Sequence, residues 1–145
     1  MNKKSKLIKP NYWKQACTEL SKKDLVMAKI IQSFRNETLK SRKDPFYSIN
    51  RAIIGQQISV KASDSIWDKY VEALKELKPQ TVRKVRSSTL RSCGLSSQKI
   101  KYVKNIGKHF SGEMSRFSYW EKMNDRDVEE TLIDLNGVGK WTIEM

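Results

Sequence analysis

Two cysteines and one histidine leave this chain almost nothing from which to build a metal centre. Cys17 and Cys93 lie far apart, in no CxxC pair and not beside His109, so the pattern indicates neither a zinc-type site nor a disulfide framework. Long apolar runs are missing too: none approaches the ~18 residues that span a bilayer. The N-terminus is basic but has no apolar h-region, so it does not read as a secretory signal. No stretch shows the period-two alternation of a half-buried strand, and no hairpin dipeptide separates two apolar runs. There is no internal repeat. What survives these exclusions is a helical protein in a reducing, cytoplasmic or nucleoid-associated setting, with no membrane partner.

Acidic residues are scarce in two places. Residues 81–108 contain Arg83, Lys84, Arg86, Arg91, Lys99, Lys101, Lys104 and Lys108 but no Asp or Glu. Residues 1–43 hold 12 Lys or Arg against only Glu19, Asp24 and Glu37. The whole chain carries a formal charge of +13. Positive charge clustered in this way points to a polyanion such as nucleic acid, and a plain solvated lysine surface is the alternative.

Its 145 residues suit a single domain. Residues 1–10 read as a flexible basic arm, and 11–145 as one helical domain. A short helix over 11–20 carries Tyr12, Trp13, Ala16 and Leu20 on one side. Ser21-Lys22-Lys23-Asp24 resembles a capping box ahead of a helix with Leu25, Ala28, Ile31 and Phe34 in its stripe, widened by Val26, Met27 and Ile30. Asp44-Pro45 opens the next helix as N-cap and first residue. Gly55-Gln56-Gln57-Ile58-Ser59 interrupts it, and Ser59 caps a helix over about 60–77. Ala62, Ile66, Tyr70, Ala73, Leu74 and Leu77 would face inward, and Pro79 would end the segment. Residues 81–91 form two short helical pieces, and Cys93-Gly94-Leu95 is a helix stop. Ser96 or Ser97 starts a helix with Ile100, Val103, Ile106, Gly107 and Phe110 on its core face. Residues 111–124 read as a loop tucking Met114, Phe117, Tyr119 and Trp120 against the core. An amphipathic helix follows over 125–135. The expected fold is all-α, an irregular multi-helix bundle of about eight helices.

The chain's focus is Leu135-Asn136-Gly137-Val138-Gly139-Lys140-Trp141-Thr142. Four residues, Asn136 to Gly139, allow only a tight turn between two helices. Two glycines let the backbone turn and leave amide N–H groups bare. The first amides of the second helix point the same way. Such a place grips a phosphate oxygen without reading a base. A plain αα-turn also uses glycine often.

That octapeptide resembles the hairpin of the helix-hairpin-helix DNA glycosylase superfamily. Asp44-Pro45-Phe46 through Ile53-Ile54-Gly55-Gln56-Gln57-Ile58-Ser59-Val60-Lys61-Ala62 resembles the preceding segment of the DNA-3-methyladenine glycosylase II branch. Cys93-Gly94-Leu95-Ser96 with Lys99 and Tyr102 resembles the intervening helix start. The three motifs occur in family order and cover about residues 44–145, so the helix-hairpin-helix motif stands at the C-terminal end.

The resemblance implies a base-excision repair enzyme acting on double-stranded DNA as a monomer and hydrolysing the N-glycosidic bond of alkylated purines such as 3-methyladenine. Flipping a base out leaves a hole that a side chain must plug, and Gln57 lies where the family places this wedge. Gly137 and Gly139 would hold phosphate through their amides, with Lys140 and Thr142 beside them. Family hairpins also hold a monovalent cation on backbone carbonyls, here those of Ile133, Leu135 and Val138. Lyase members carry a Schiff-base lysine where this chain has Trp141, which implies a monofunctional enzyme using water. Trp141 also matches an aromatic of the alkylated-base pocket, where its face would attract a cationic purine.

The family's catalytic Asp lies beyond the second hairpin helix, which here would be past Met145. Asp134 and Glu144 do not match it. The expectation is therefore of a glycosylase domain incomplete at its C-terminus and inactive by itself. No iron–sulphur cluster is expected. Two other readings stay open: a non-catalytic helix-hairpin-helix DNA-binding module, and a basic helical protein on structured RNA or in an assembly. Gly137→Glu would be expected to weaken DNA binding without unfolding the protein.

Overall fold

The computed structural model describes residues 9–40 and 44–144, and most of the basic arm lies outside them. All regular structure among the described residues is helical. Where the sequence reads as one domain from residue 11, the chain divides into two compact units, one within 3–43 and one over 44–145.

The first unit is a pair of helices, α1 (Trp13–Lys23) and α2 (Leu25–Ser33), meeting at Asp24. Ser21 is not the cap. It lies inside α1, where its Oγ donates to the Cys17 carbonyl at 2.8 Å. Asp24 caps α2 instead, accepting from the amides of Val26 and Met27 at 2.7 and 3.0 Å. The broad apolar stripe expected on α2 is only half satisfied. Met27, Ala28 and Ile31 are half-buried, whereas Leu25, Val26, Ile30 and Phe34 stay exposed.

The second unit holds the core. Helix α3 (Pro45–Gly55) starts as expected, with Asp44 accepting from the Tyr47 amide at 2.9 Å. It buries Phe46, Ile49, Asn50, Ile53 and Ile54. Ser59 caps α4 (Val60–Leu74) through the Ala62 amide. Of the stripe expected on α4, Tyr70 and Leu74 are buried and Ile66 and Leu77 pack in part against the core, whereas Ala62 and Ala73 are exposed; the buried face is Ser63, Trp67, Tyr70 and Leu74. Those four residues follow an i, i+4, i+7, i+11 pattern and include the bulkiest aromatic of the helix. Tyr70 and Asn50 are both fully buried; the Tyr70 hydroxyl donates to Asn50 Oδ1 at 2.9 Å, and Asn50 Nδ2 donates to the Phe46 carbonyl. This settles two polar groups that burial would otherwise penalise.

Helix α4 ends three residues earlier than expected, at Lys75 with φ 61°. Pro79 then begins α5 (Pro79–Lys84) rather than ending its predecessor, because proline suits a first helical position. Short α6 (Ser87–Ser92) leads through Gly94 to α7 (Ser97–His109), capped by Ser96. Ile100, Val103, Ile106 and Gly107 form the buried face of α7, and fully buried Phe110 follows at its C-cap. Gly107 lets α5 approach closely: a Cβ there would stand 3.0 Å from the Pro79 carbonyl. The stretch expected as a loop contains a 3-10 turn, Gly112–Ser115, and α8 (Phe117–Trp120). Trp120 stacks on Phe110 at 5.2 Å and donates its indole N–H to the Met114 carbonyl. Helices α9 (Asp125–Leu132) and α10 (Lys140–Glu144) flank the glycine turn.

Candidate nucleic-acid interface

Two turns of the second unit matter here, the α3–α4 turn and the α9–α10 turn. At the first, α3 runs out at Gly55 and its last carbonyls have no intrahelical donor. Lys99, from the first turn of α7, supplies one. Its ammonium donates to the Ile54 carbonyl at 2.7 Å and to the Gln56 carbonyl at 2.8 Å. Burial holds the Lys99 pKa below the ordinary lysine value. Gln57 comes next, with φ 57° and an exposed side chain. Left-handed backbone is uncommon for a residue with a Cβ.

At the second turn, Leu135 and Val138 dip into the core at 5% and 6% exposure. The Val138 amide donates to the Leu135 carbonyl at 2.9 Å, closing the turn. Gly137 between them has φ 86°. Its Cα lies against the ring of Tyr102: an added Cβ would meet the ring's Cε2 at 2.5 Å and Cγ at 2.9 Å. Gln98 in turn donates to the Tyr102 hydroxyl at 2.5 Å. The two turns are joined directly. Gln56 Nε2 donates to the Gly137 carbonyl at 2.9 Å and approaches the Thr142 hydroxyl at 3.5 Å.

This arrangement sorts the residues singled out from the sequence. The amides of Gly137, Gly139 and Lys140 donate no hydrogen bond among the described residues. Gly139 and the Lys140 side chain are exposed, with open space around Gly139. Trp141 is 65% exposed, so it is not a core residue. Thr142 differs from expectation. It is 7% exposed with its hydroxyl turned to Gln56, so its side chain braces the hairpin against α3 rather than facing a ligand. The Ile133 and Val138 carbonyls accept no backbone bond among the described residues, and that of Leu135 accepts one. Each keeps a free lone pair. Carbonyl oxygens are hard donors, which suit hard cations rather than soft ones.

Asp134 and Glu144 are exposed. Cys93 is buried, its thiol pKa raised chiefly by burial, and it donates to the Thr89 carbonyl. No group of three metal-ligating side chains occurs among the described residues. No described helix is long and apolar enough to cross a membrane. Two of the eight basic residues of the 81–108 stretch are engaged at backbone carbonyls within the fold. Lys99 is engaged at α3, and Lys104 donates to the Val85 carbonyl at 2.7 Å. Arg83, Lys84, Arg86, Arg91, Lys101 and Lys108 remain exposed.

Sequence reasoning pointed to Gln57 and the hairpin but missed what holds them, namely Gln56, Lys99 and Tyr102 acting across the fold. Lys99 and Tyr102 already stood within the third family-like motif, which was the one available signal.

Residues 51–141 match the family described as HhH-GPD superfamily base excision DNA repair protein. The chain belongs to this family. Among HhH-GPD relatives, DNA-3-methyladenine glycosylase 1 of Schizosaccharomyces pombe is 26% identical over 123 residues, 82% of this chain and 54% of that protein. A crystal structure of DNA-3-methyladenine glycosidase from Bacillus halodurans superposes with a TM-score of 0.64 at 31% identity, over 70% of this chain and 48% of that one. The S. pombe 3-methyladenine DNA glycosylase in complex with abasic DNA gives 0.65 at 27% identity, over 72% and 52%. The chain thus spans about half the length of these relatives.

Proposed function

We infer that this chain is the DNA-gripping part of a base-excision repair glycosylase of the 3-methyladenine type, working on duplex DNA with alkylated purines. The observation that carries this reading is the direct bond from Gln56 to Gly137, which fixes the exposed Gln57 beside the unpartnered hairpin amides. A phosphate held at Gly137 and Gly139 and a side chain entering the stack need to be a set distance apart, and the bond between the two turns ties them together. The relative solved with abasic DNA supports the same partner.

In this reading the Gly137 and Gly139 amides and the Lys140 ammonium hold phosphate oxygens. Gln57 fills the space a flipped base leaves. The exposed Trp141 ring offers a π face to a cationic base. The carbonyls of Ile133, Leu135 and Val138 would hold a monovalent cation, which supplies positive charge next to the phosphate. No carboxylate of this chain is assigned to the bond-breaking step. Trp141 in the lyase position favours hydrolysis by water.

The test compares binding of the whole chain to duplexes with and without an abasic-site analogue, at matched salt. The abasic duplex should bind more tightly, since the stack is already weakened there. Gly139→Glu adds a negative side chain in open space at the amides and should weaken both duplexes, leaving the melting temperature unchanged. Equal affinity for both duplexes, or Gly139→Glu without effect, would sink this reading.

A further inference from the structure

The reading above uses Gln57 and the hairpin but gives no task to Lys99. Its backbone is firmly placed: Ser96 caps the helix through the Lys99 amide, and Ile100, Val103 and Ile106 anchor α7 in the core. From that base the ammonium reaches two carbonyls that bracket Gly55 and lead directly into Gln57. Fixing the Gln56 carbonyl fixes the plane of the 56–57 peptide, and with it the orientation from which the Gln57 side chain departs. Gln57 stands at φ 57°, a conformation that persists only where its surroundings impose it. On the far side the Gln56 amide group is tied to Gly137. Gln56 is therefore held through both its carbonyl and its side chain, and Gln57 is the first residue free of either.

We propose that Lys99 is the positioning residue of the 56–59 turn, holding Gln57 in its left-handed conformation with its side chain turned outward for the DNA stack. The part concerning DNA rests on Gln57 being the wedge; the part concerning the turn rests on the geometry of Lys99 alone. Ordinary capping of α3 by a cation would use the same atoms. It would stabilise the whole helix, whereas positioning acts on the turn beyond it.

Amide hydrogen exchange on the whole chain separates these possibilities. Lys99→Met should speed exchange at the Gln56 amide, which donates to the Ile53 carbonyl, by about tenfold or more, as expected when charged hydrogen bonds to a turn are lost. The Asn50 and Ile53 amides in the body of α3 should be unchanged, as should Val103 and Ile106 in α7, and Lys99→Arg, which keeps charge and donors, should recover most of the protection. Unchanged exchange at Gln56, or an equal rise at Asn50 and Ile53 as capping of the whole of α3 requires, would overturn the proposal. If Lys99→Met melts too low to measure, Lys99→Gln, which keeps a donor, is read in the same way. In binding, Lys99→Met should lower the preference for abasic over intact duplex to the level of Gln57→Ala, with the double variant no lower. A double variant that loses the product of both effects would show Lys99 acting elsewhere than through Gln57, and would overturn it. If Gln57→Ala leaves the preference intact, the wedge reading fails, and the exchange data still decide whether Lys99 holds the turn.

Discussion

Gly137→Ala should destabilise the second unit through two separable costs. The first is conformational: φ at Gly137 is 86°, and left-handed backbone costs a residue with a Cβ about 1–2 kcal/mol. The second is steric. The new methyl would meet the Tyr102 ring, which Gln98 holds by its hydroxyl. Overpacking of this kind costs about 1–3 kcal/mol. Reduced freedom of the unfolded chain returns roughly 0.4–1 kcal/mol. The net loss is about 1–4 kcal/mol, a large share of the ~5–15 kcal/mol that holds a small domain together. Urea unfolding of Gly137→Ala, Tyr102→Ala and the double variant reads the two costs apart. With the ring gone, only the conformational cost remains, so the double variant should be less impaired than the sum by about 1–3 kcal/mol. Additivity within ~0.5 kcal/mol would refute the contact, and an unchanged Gly137→Ala would refute both costs. The same geometry revises the expectation that Gly137→Glu weakens DNA binding without unfolding: any side chain there displaces Tyr102, so loss of binding would not isolate the amides. Gly139, with open space around it, is the cleaner site.

Two further outcomes follow from buried polar groups. Tyr70→Phe removes the donor to Asn50 Oδ1 at a site with no solvent access, and should cost about 1–3 kcal/mol in urea unfolding; an unshifted midpoint would mean that Asn50 finds another donor. His109 has a buried Nε2 without a hydrogen-bond partner among the described residues, and burial depresses its pKa below the ordinary 6.5. Just below pH 6.5 the unfolded chain therefore takes up a proton that the folded chain resists. Stability should fall as pH drops through 6.5 and level off below the folded-state pKa. His109→Gln should flatten that part of a stability–pH profile, and an identical slope in the variant would exclude His109 as its source.

Several features of the fold were legible because their causes are local. Asp44, Ser59 and Ser96 each cap a helix through the amide three residues on, so sequence spacing reveals them. The core face of α7 was equally plain, since its apolar residues alternate with lysines at helical period. The inward face of α4 was legible at Tyr70 and Leu74 but misjudged at Ala62, Ala73 and Ser63, because alanine and serine say little about side. Ser63 is buried where Gly55 approaches it and Arg51 donates to its hydroxyl, both from α3.

The sequence by itself determined that the chain is helical, where most helices begin, and that a glycine hairpin closes it in a pattern resembling DNA glycosylases. These depend on contacts within a few residues and on motif order. Tertiary structure decided how the candidate site is held. Lys99 meets Ile54 and Gln56 across more than forty positions, Gln56 meets Gly137 across 81, and Tyr102 lies beneath that glycine. Periodicity and capping carry no information at such separations. Only packing α7 between the two turns brings a lysine to the end of α3, buries Thr142, and leaves Gln57 and Trp141 facing outward.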